Sequence, residues 1–223
     1  MHKITLVCST HREHGLCSAA ELLKIILAIR PEVIFEEVRP ADYESFHNHG
    51  AQWSLEAQAI AMYRQFNSPQ QVPVDRYEIR SDLLIRMKAD LDKVIDFVGQ
   101  WSEEYQLLDE EHAKNMAEYG FSYLNSDAFS TREAKMSEIE DIKIKGSGNP
   151  DAMRVLEGWR HHNRSREEKM LASIYEYCQA KAFDTAVFLV GAAHRAGIAK
   201  EIEKYASTEG HLVNWSFYEG PIT

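Results

Sequence analysis

The fold is decided by the stretch Phe183-Asp184-Thr185-Ala186-Val187-Phe188-Leu189-Val190, which leads directly into Gly191-Ala192-Ala193-His194. A run with so little polarity is typical of a strand that is buried on both faces of a sheet. Parallel sheets bury their strands in this way because helices cover both sides. The stretch therefore predicts a central strand of a parallel sheet that runs into a histidine.

Upstream of this stretch, short apolar strands alternate with amphipathic helices. Ser18 and Glu21 have the spacing of a capping box at the start of the first helix, and Arg30-Pro31 ends that helix. The order predicts an α/β fold with helices on both faces of a mainly parallel central sheet of about four or five strands. The further predicted strands lie at 3–8, 33–35, 71–74 and 212–218, the last at a sheet edge, and further helices lie at 54–66 and 197–206.

The segment 78–182 has the apolar spacing of helices throughout, and a polar break at residues 145–150 places Pro150 at the first position of a new helix. We interpret it as a helical insertion within a single α/β domain spanning residues 1–223. The insertion connects the carboxyl end of the third strand to the fourth strand. It is therefore expected to form a lid or wall over any crevice at those strand ends.

Composition limits the partners. Hydrophobic residues make up 44% of the 223 residues, and the formal net charge of −10 with scattered basic residues argues against nucleic acid as a partner. No apolar run has the length of a membrane span, and the residues leading into Ile4 are not expected to form a signal peptide. Three scattered cysteines favour a reducing compartment. These features predict a cytoplasmic protein without a nucleic-acid or membrane partner, and they leave open whether it forms a homodimer.

Titratable residues follow four of the predicted strands, namely His11, Glu37, the pair Asp75-Arg76, and His194. The carboxyl ends of parallel strands border the ligand crevice of an open α/β sheet. We therefore expect His11, Glu37, Asp75 and His194 to surround one crevice. Histidines at opposite ends of the sheet would make this site hypothesis wrong.

The segments around these residues, in chain order, carry a resemblance to a known superfamily. Two of them, Val7–His11 and Val190–His194, are similar to paired G-x-x-H motifs. A third, Pro31–Val38, has a glutamate at the strand end. The other two are Val74–Arg76 and Arg166–Met170. Together they resemble the TraB, PrgY, GumN and TIKI proteins, with erythromycin esterases and ChaN-like proteins as distant relatives. Two positions depart from the pattern, because Cys8 replaces a glycine and Glu167 replaces an Asn or Asp.

The resemblance implies an erythromycin-esterase- or ChaN-like fold and a metal-dependent hydrolase that cleaves amide, peptide or ester bonds of a small-molecule or peptide substrate. A non-catalytic peptide- or cofactor-binding protein of the same fold is the alternative. Imidazole and carboxylate groups suit zinc, manganese or cobalt, so His11, Glu37 and His194 are the candidate metal ligands. Glu37, Asp75, Arg76 and Arg166 are the candidate catalytic residues, with Arg166 holding a substrate carboxylate or a developing oxyanion.

Each candidate has a structural alternative. The two histidines are also compatible with hydrogen bonds across the sheet top, and Asp75-Arg76 with a structural ion pair. Adjacent strand residues point to opposite faces, so only one of Glu36 and Glu37 faces the crevice, and the resemblance favours Glu37. Cys8 is expected to be a buried small residue rather than a nucleophile. The remaining histidines considered are expected at the surface; they are His14, His47, His49, His161 and His162.

The most specific geometric prediction concerns the position of the Arg166 side chain. It should lie within reach of Glu37 or a substrate anion, with Met170 one turn later facing the core and Arg164 facing solvent. Replacing Arg166 with lysine is expected to reduce activity or ligand affinity strongly and to change stability little.

Overall fold

The computed structural model describes residues 1–48, 54–208 and 212–220. In this part of the chain the strands form one five-stranded sheet in the order β3-β2-β4-β1-β5, and every pair is parallel. The strands are β1 (His2–Ser9), β2 (Val33–Glu36), β3 (Gln70–Pro73), β4 (Thr185–Gly191) and β5 (Val213–Phe217). The predicted α/β class, the parallel sheet, the central position of β4 and the edge position of β5 are therefore confirmed.

Helices occupy the connections between strands. They are α1 (Ala19–Ile29), α2 (Tyr43–Asn48), α3 (Leu55–Tyr63), α4 (Ser81–Gln100), α5 (Glu103–Leu124), α6 (Asp127–Ser147), α7 (Pro150–Ala180) and α8 (Arg195–Thr208). The caps follow the sequence, because the Ser18 hydroxyl accepts from the Glu21 N–H and the Asn149 side chain caps α7 beside Pro150. Helix α2 and the short 3-10 turn before it, Pro40–Asp42, were not predicted.

The order of the strands places helices on both faces. The β1-to-β2 connection crosses the sheet in one direction, and the β4-to-β5 connection crosses it in the other. Because parallel crossovers are right-handed, α1 and α8 then lie on opposite faces. The helix contacts agree, since α1 packs with α3 and α7 packs with α8. The ends of β1 and β4 are level, with Ser9 opposite Gly191, so their following loops begin side by side.

The main core lies between this sheet and its helices. Its largest fully buried side chains include Phe35 and Phe188 on β2 and β4, and Met170 on α7. The predicted insertion is confirmed as helical, with α4 to α7 covering most of residues 81–180. It has a second, smaller core around Val98, Ile144 and Leu156. No helix in residues 1–48, 54–208 and 212–220 is long and apolar enough to cross a membrane.

Candidate active site

The strand-end residues meet at one edge of the sheet. His11, Glu37 and His194 line a single cavity of about 570 Å³ together with Arg166 from α7. Asp75 does not line it; its side chain is buried behind Arg166. The structure therefore brings the four predicted strand-end residues together, with Asp75 one layer below the crevice floor.

Arg166 is the centre of the cluster. Its Nη2 donates to Glu37 Oε1 at 2.5 Å and to Asp75 Oδ2 at 2.8 Å, and its Nε lies 3.1 Å from Asp75 Oδ2. Burial lowers the pKa of Arg166, but the hydrogen bonds and charges of Asp75 and Glu37 outweigh burial and raise it. Arg166 is thus a permanent cation. Met170 is fully buried and Arg164 is exposed, in agreement with the helical spacing.

Glu37 joins three parts of the site. Its Oε2 accepts the Gly191 backbone N–H at 2.6 Å, while Oε1 accepts from Arg166 and lies 3.3 Å from His194 Nε2. Burial raises the pKa of Glu37, but the nearby His194 and Arg166 outweigh it and hold the pKa well below its usual range. Glu37 is therefore ionised, and it is the member of the Glu36-Glu37 pair that faces the main cavity.

His194 is buried between two carboxylates. Its Nδ1 lies 2.8 Å from Glu167 Oε1, and its Nε2 lies 3.3 Å from Glu37 Oε1 and 3.1 Å from Arg166 Nη1. Burial lowers the pKa of His194, but the hydrogen bonds to Glu167 and Glu37 raise it to about 9. The protonated ring donates to both carboxylates. Its contact with Arg166 is then an approach of two cations, which the carboxylates of Glu37, Asp75 and Glu167 offset.

His11 belongs to a separate pair at the cavity wall. Its Nδ1 lies 3.2 Å from Glu56 Oε1, which also accepts from the Ser9 hydroxyl at 2.7 Å. The Glu56 side chain is 9% exposed and the His11 side chain is 62% exposed. The hydrogen bond to Glu56 raises the pKa of His11. A histidine fixed at Nδ1 by a buried carboxylate keeps Nε2 available for proton transfer.

The Nε2 atom of His11 faces the Glu37 side of the cluster across Gly191. A Cβ placed on Gly191 would lie 3.8 Å from His11 Nε2 and 3.2 Å from Glu37 Oε2. Glycine at this position therefore keeps the space between the two groups open, and it lets the Glu37 carboxylate approach the backbone closely.

Several expectations are corrected. Arg76 lies outside the site, because its exposed side chain pairs with Glu176 at 2.9 Å, and the proposed Asp75-Arg76 ion pair is absent. Both residues lie after β3 ends at Pro73, and there Asp75 is buried and Arg76 is exposed.

Two of the histidines expected at the surface are not exposed. His47 lies 2.8 Å from the buried Glu36 carboxylate, and His162 is only 5% exposed. His14 and His161 are exposed, and His49 lies outside the described residues.

Cys8 is a buried residue of β1, as expected. Its backbone N–H donates to the Asn125 side chain at 2.8 Å, and burial raises the pKa of its thiol to about 12. The thiol is therefore neutral near pH 7 and is no activated nucleophile.

Glu56 and Glu167 contact the candidate histidines but were not predicted as site residues, and Glu167 was noted only as a departure from a motif. Both lie on helices, and their contact with His11 and His194 depends on tertiary packing. One sequence feature pointed to Glu56, because it interrupts the apolar positions near the start of α3. A carboxylate that is buried in such a position needs a hydrogen-bond or ion-pair partner.

The predicted metal ligands do not fit a metal in this arrangement. Both oxygens of Glu37 already accept hydrogen bonds, and both ring nitrogens of His194 face carboxylates. The guanidinium of Arg166 takes the place beside Glu37 that a cation needs. Within residues 1–48, 54–208 and 212–220, no group of three or more His, Cys, Asp or Glu side chains is arranged to hold a metal ion.

Comparisons with known proteins give no relative for this chain. No family model, no curated protein and no solved structure matches it. The resemblance to the TraB, PrgY, GumN and TIKI superfamily therefore stays a prediction from the ordered segments, and function has to be argued from the site itself.

Proposed function

We propose that this protein is a hydrolase that cleaves an amide or ester bond of a small molecule or peptide in the strand-end crevice. The observation that carries the proposal is the His11-Glu56 pair, which leaves one histidine nitrogen facing the cavity beside the buried charged cluster that holds the cations Arg166 and His194. A general base next to preorganised positive charge is the arrangement that water-dependent acyl transfer requires.

His11 is the proposed general base. Glu56 accepts the Nδ1–H and so fixes the ring orientation, which leaves Nε2 unprotonated in the neutral ring. Nε2 then takes a proton from a water molecule as the oxygen of that water attacks the carbonyl carbon. The imidazolium returns this proton to the leaving amine or alkoxide as the C–N or C–O bond of the tetrahedral intermediate breaks. In this role Glu56 does not itself need to exchange a proton, and it stabilises the imidazolium that forms.

Arg166 and His194 are the proposed electrostatic stabilisers. Both carry positive charge on the cavity floor, and both are held in place by carboxylates before any substrate binds. Fixed cations of this kind stabilise the oxygen that becomes negative in the tetrahedral transition state, without a cost of reorganisation. Glu37 and Asp75 are proposed to hold Arg166, not to react.

The test is an activity survey of the purified protein with p-nitrophenyl esters and peptide p-nitroanilides. His11→Ala and Glu56→Gln are expected to lower kcat by about 100-fold or more, because general-base assistance contributes 10²–10⁴-fold. His161→Ala, which changes an exposed histidine on α7, is the matched control and should retain wild-type rates. Unchanged rates in both site variants would contradict the proposal.

Metal dependence is tested in the same material. Metal analysis and assays with a chelator distinguish the two forms of the reaction. Stoichiometric manganese, cobalt or zinc that is lost in His11→Ala would favour the metal-dependent form, in which Glu37 has to release Arg166 or Gly191. Full activity with chelator would favour the His11-Glu56 base alone. Family membership in the TraB, PrgY, GumN and TIKI group is part of this proposal for the metal-dependent form.

A binding protein is the second candidate, and one observation favours it. The guanidinium of Arg166 is already satisfied by Glu37 and Asp75, so the floor of the crevice presents few unpaired charges. Such a floor is suited to holding a ligand without reacting with it. Saturable peptide binding without turnover of any ester or amide in the survey would support this alternative.

A further inference from the structure

The lining of the crevice combines groups from the strand-end loops with a mixed surface from the insertion. The loops that follow the strands supply His11, Glu37 and His194 among others. The helices of the insertion supply five polar side chains, which are Lys88, His112, Glu133, Asn163 and Arg166, and also every Leu, Met, Phe and Trp side chain of the lining. These apolar side chains are Leu84 from α4, Met116 and Leu124 from α5, Phe129 from α6, and Trp159 from α7. The insertion therefore supplies the surface that can contact an apolar part of whatever the crevice holds.

Trp159 is the largest apolar side chain of the lining that keeps exposed surface. Leu124 and Phe129 are almost fully buried by the protein, whereas Leu84, Met116 and Trp159 are half-buried and line the cavity, and Trp159 is the largest of these three. Its ring is supported by His162, whose ring centroid lies 5.8 Å away. Burial lowers the pKa of His162, so that ring is neutral and packs as an aromatic group. The indole therefore has a fixed support on one side and the cavity on the other.

Helix α7 fixes how far this surface lies from the reacting groups. Trp159, Asn163 and Arg166 are spaced four and three residues apart, so they share one face of the helix. At 1.5 Å per residue, Trp159 lies roughly 10 Å along the axis from Arg166. Asn163 lies between them on the cavity wall, and its buried Oδ1 has no hydrogen-bond partner among the described residues. Turning this amide toward a ligand breaks no hydrogen bond of that oxygen.

We propose that Trp159 is a specificity-determining residue, which selects ligands carrying a large apolar group roughly 10 Å from the group that meets Arg166. The inference rests on the proposed function only in calling that ligand a substrate. An extended chain spans about 3.3–3.6 Å per residue, so the distance corresponds to a group about three residues from the reacting bond. Asn163 is placed to bond a polar group of the intervening chain.

The experiment measures binding of acetylated tripeptide amides by NMR titration, with the integrity of the peptide followed in the same spectra. The probes are triglycine and the three peptides in which one glycine is replaced by phenylalanine. We expect one phenylalanine position to bind about tenfold more tightly than triglycine, since burial of the ring is partial in an open crevice. Trp159→Ala should remove that preference, and Trp159→Phe should retain most of it.

Matched variants keep the result interpretable. Trp101→Ala changes an exposed tryptophan, 67% accessible and outside the crevice lining, and should leave the preference intact. Trp159→Gln serves as a second replacement without an aromatic ring if the alanine variant does not fold. No preference among the four peptides, or a preference that survives in Trp159→Ala, would overturn the inference.

The binding readout also separates this inference from the proposed function. A protein that hydrolyses nothing but prefers phenylalanine through Trp159 would contradict the hydrolase and keep the apolar subsite. A protein that hydrolyses test substrates without any such preference would keep the hydrolase and contradict the subsite.

Discussion

Arg166 should be a determinant of stability as well as of function, and Arg166→Met tests this. The substitution keeps most of the side-chain volume but removes the cation that pairs with Asp75 and Glu37, whose side chains are 3% and 8% exposed. Removing one partner of a buried ion pair costs about 3–5 kcal/mol, because the other charge stays buried without compensation. Protonated His194 remains beside Glu37, so we expect the lower end, about 3 kcal/mol at pH 7.5.

The pH dependence identifies the cause of this loss. Burial already raises the pKa of Asp75 with Arg166 present, and removing the guanidinium raises it further. A carboxyl whose folded pKa lies above its unfolded value weakens the fold increasingly as pH rises through that range. The difference in free energy of unfolding between wild type and Arg166→Met should therefore shrink by at least about 1 kcal/mol between pH 7.5 and pH 5.

Urea unfolding followed by circular dichroism at the two pH values measures both quantities. Arg164→Met, an exposed arginine on the same helix, is the control and should change stability by less than about 0.5 kcal/mol. The double variant Asp75→Asn/Arg166→Met removes the unpaired charge and should recover stability at pH 7.5. A loss for Arg166→Met that is equal at both pH values, or not reduced in the double variant, would refute the reasoning.

Three further predictions follow from the site. The pKa of His194 is raised to about 9, so its protonated ring stabilises the fold by roughly 3 kcal/mol below pH 6.5, and this stabilisation is lost as pH rises through 9. The free energy of unfolding of His194→Gln should lack this decline with pH. Gly191→Ala places a Cβ 3.2 Å from Glu37 Oε2 and should cost about 1–3 kcal/mol by weakening the Gly191-Glu37 hydrogen bond, whereas unchanged urea unfolding would contradict it. Thiol titration with Ellman's reagent at pH 8 should label none of the three buried cysteines before denaturation, and rapid labelling of Cys8 would contradict its raised pKa.

The position of Arg166 revises one expectation from the sequence. The lysine variant was expected to change stability little, yet the structure places two buried carboxylates on Nη2 of the guanidinium, and Asp75 also accepts from Nε. An ammonium keeps the charge but cannot reproduce the fork. Loss of a charge-assisted hydrogen bond costs about 1.5–3 kcal/mol, so Arg166→Lys is now expected to be destabilised as well.

The sequence predicted those parts of the site that depend on strand periodicity and topology. His11, Glu37 and His194 follow strands directly, and parallel strands bring their carboxyl ends to one edge whatever the packing details. The same rule does not decide which neighbour turns inward at a strand end. Asp75 and Arg76 both followed β3, and only tertiary contacts assign the first to Arg166 and the second to Glu176.

The carboxylates contributed by helices were beyond this kind of prediction. Helical spacing shows which residues share a face, but not which partner the face meets, because the approach of α3 and α7 depends on the packing of the whole sheet. Glu56 therefore looked like an ordinary charged helix residue, and Glu167 was noted only as a departure from the motif that begins at Arg166. His47 was missed for a related reason, since the short helix α2 carries too few residues to show a periodic pattern.

The buried charges at the strand ends are better explained by function than by stability. Glu37, Asp75, Arg166, Glu167 and His194 are all largely buried, and well-packed apolar side chains of similar volume often give equal or greater stability. A purely structural cluster would also gain nothing from adjoining an open cavity. Here the cluster forms the floor of a crevice in which the ring of His11 stays exposed while its orienting Glu56 is buried. This division between a fixed charged floor and one accessible proton acceptor is what a reaction with water requires, and it is the reason to test His11 first.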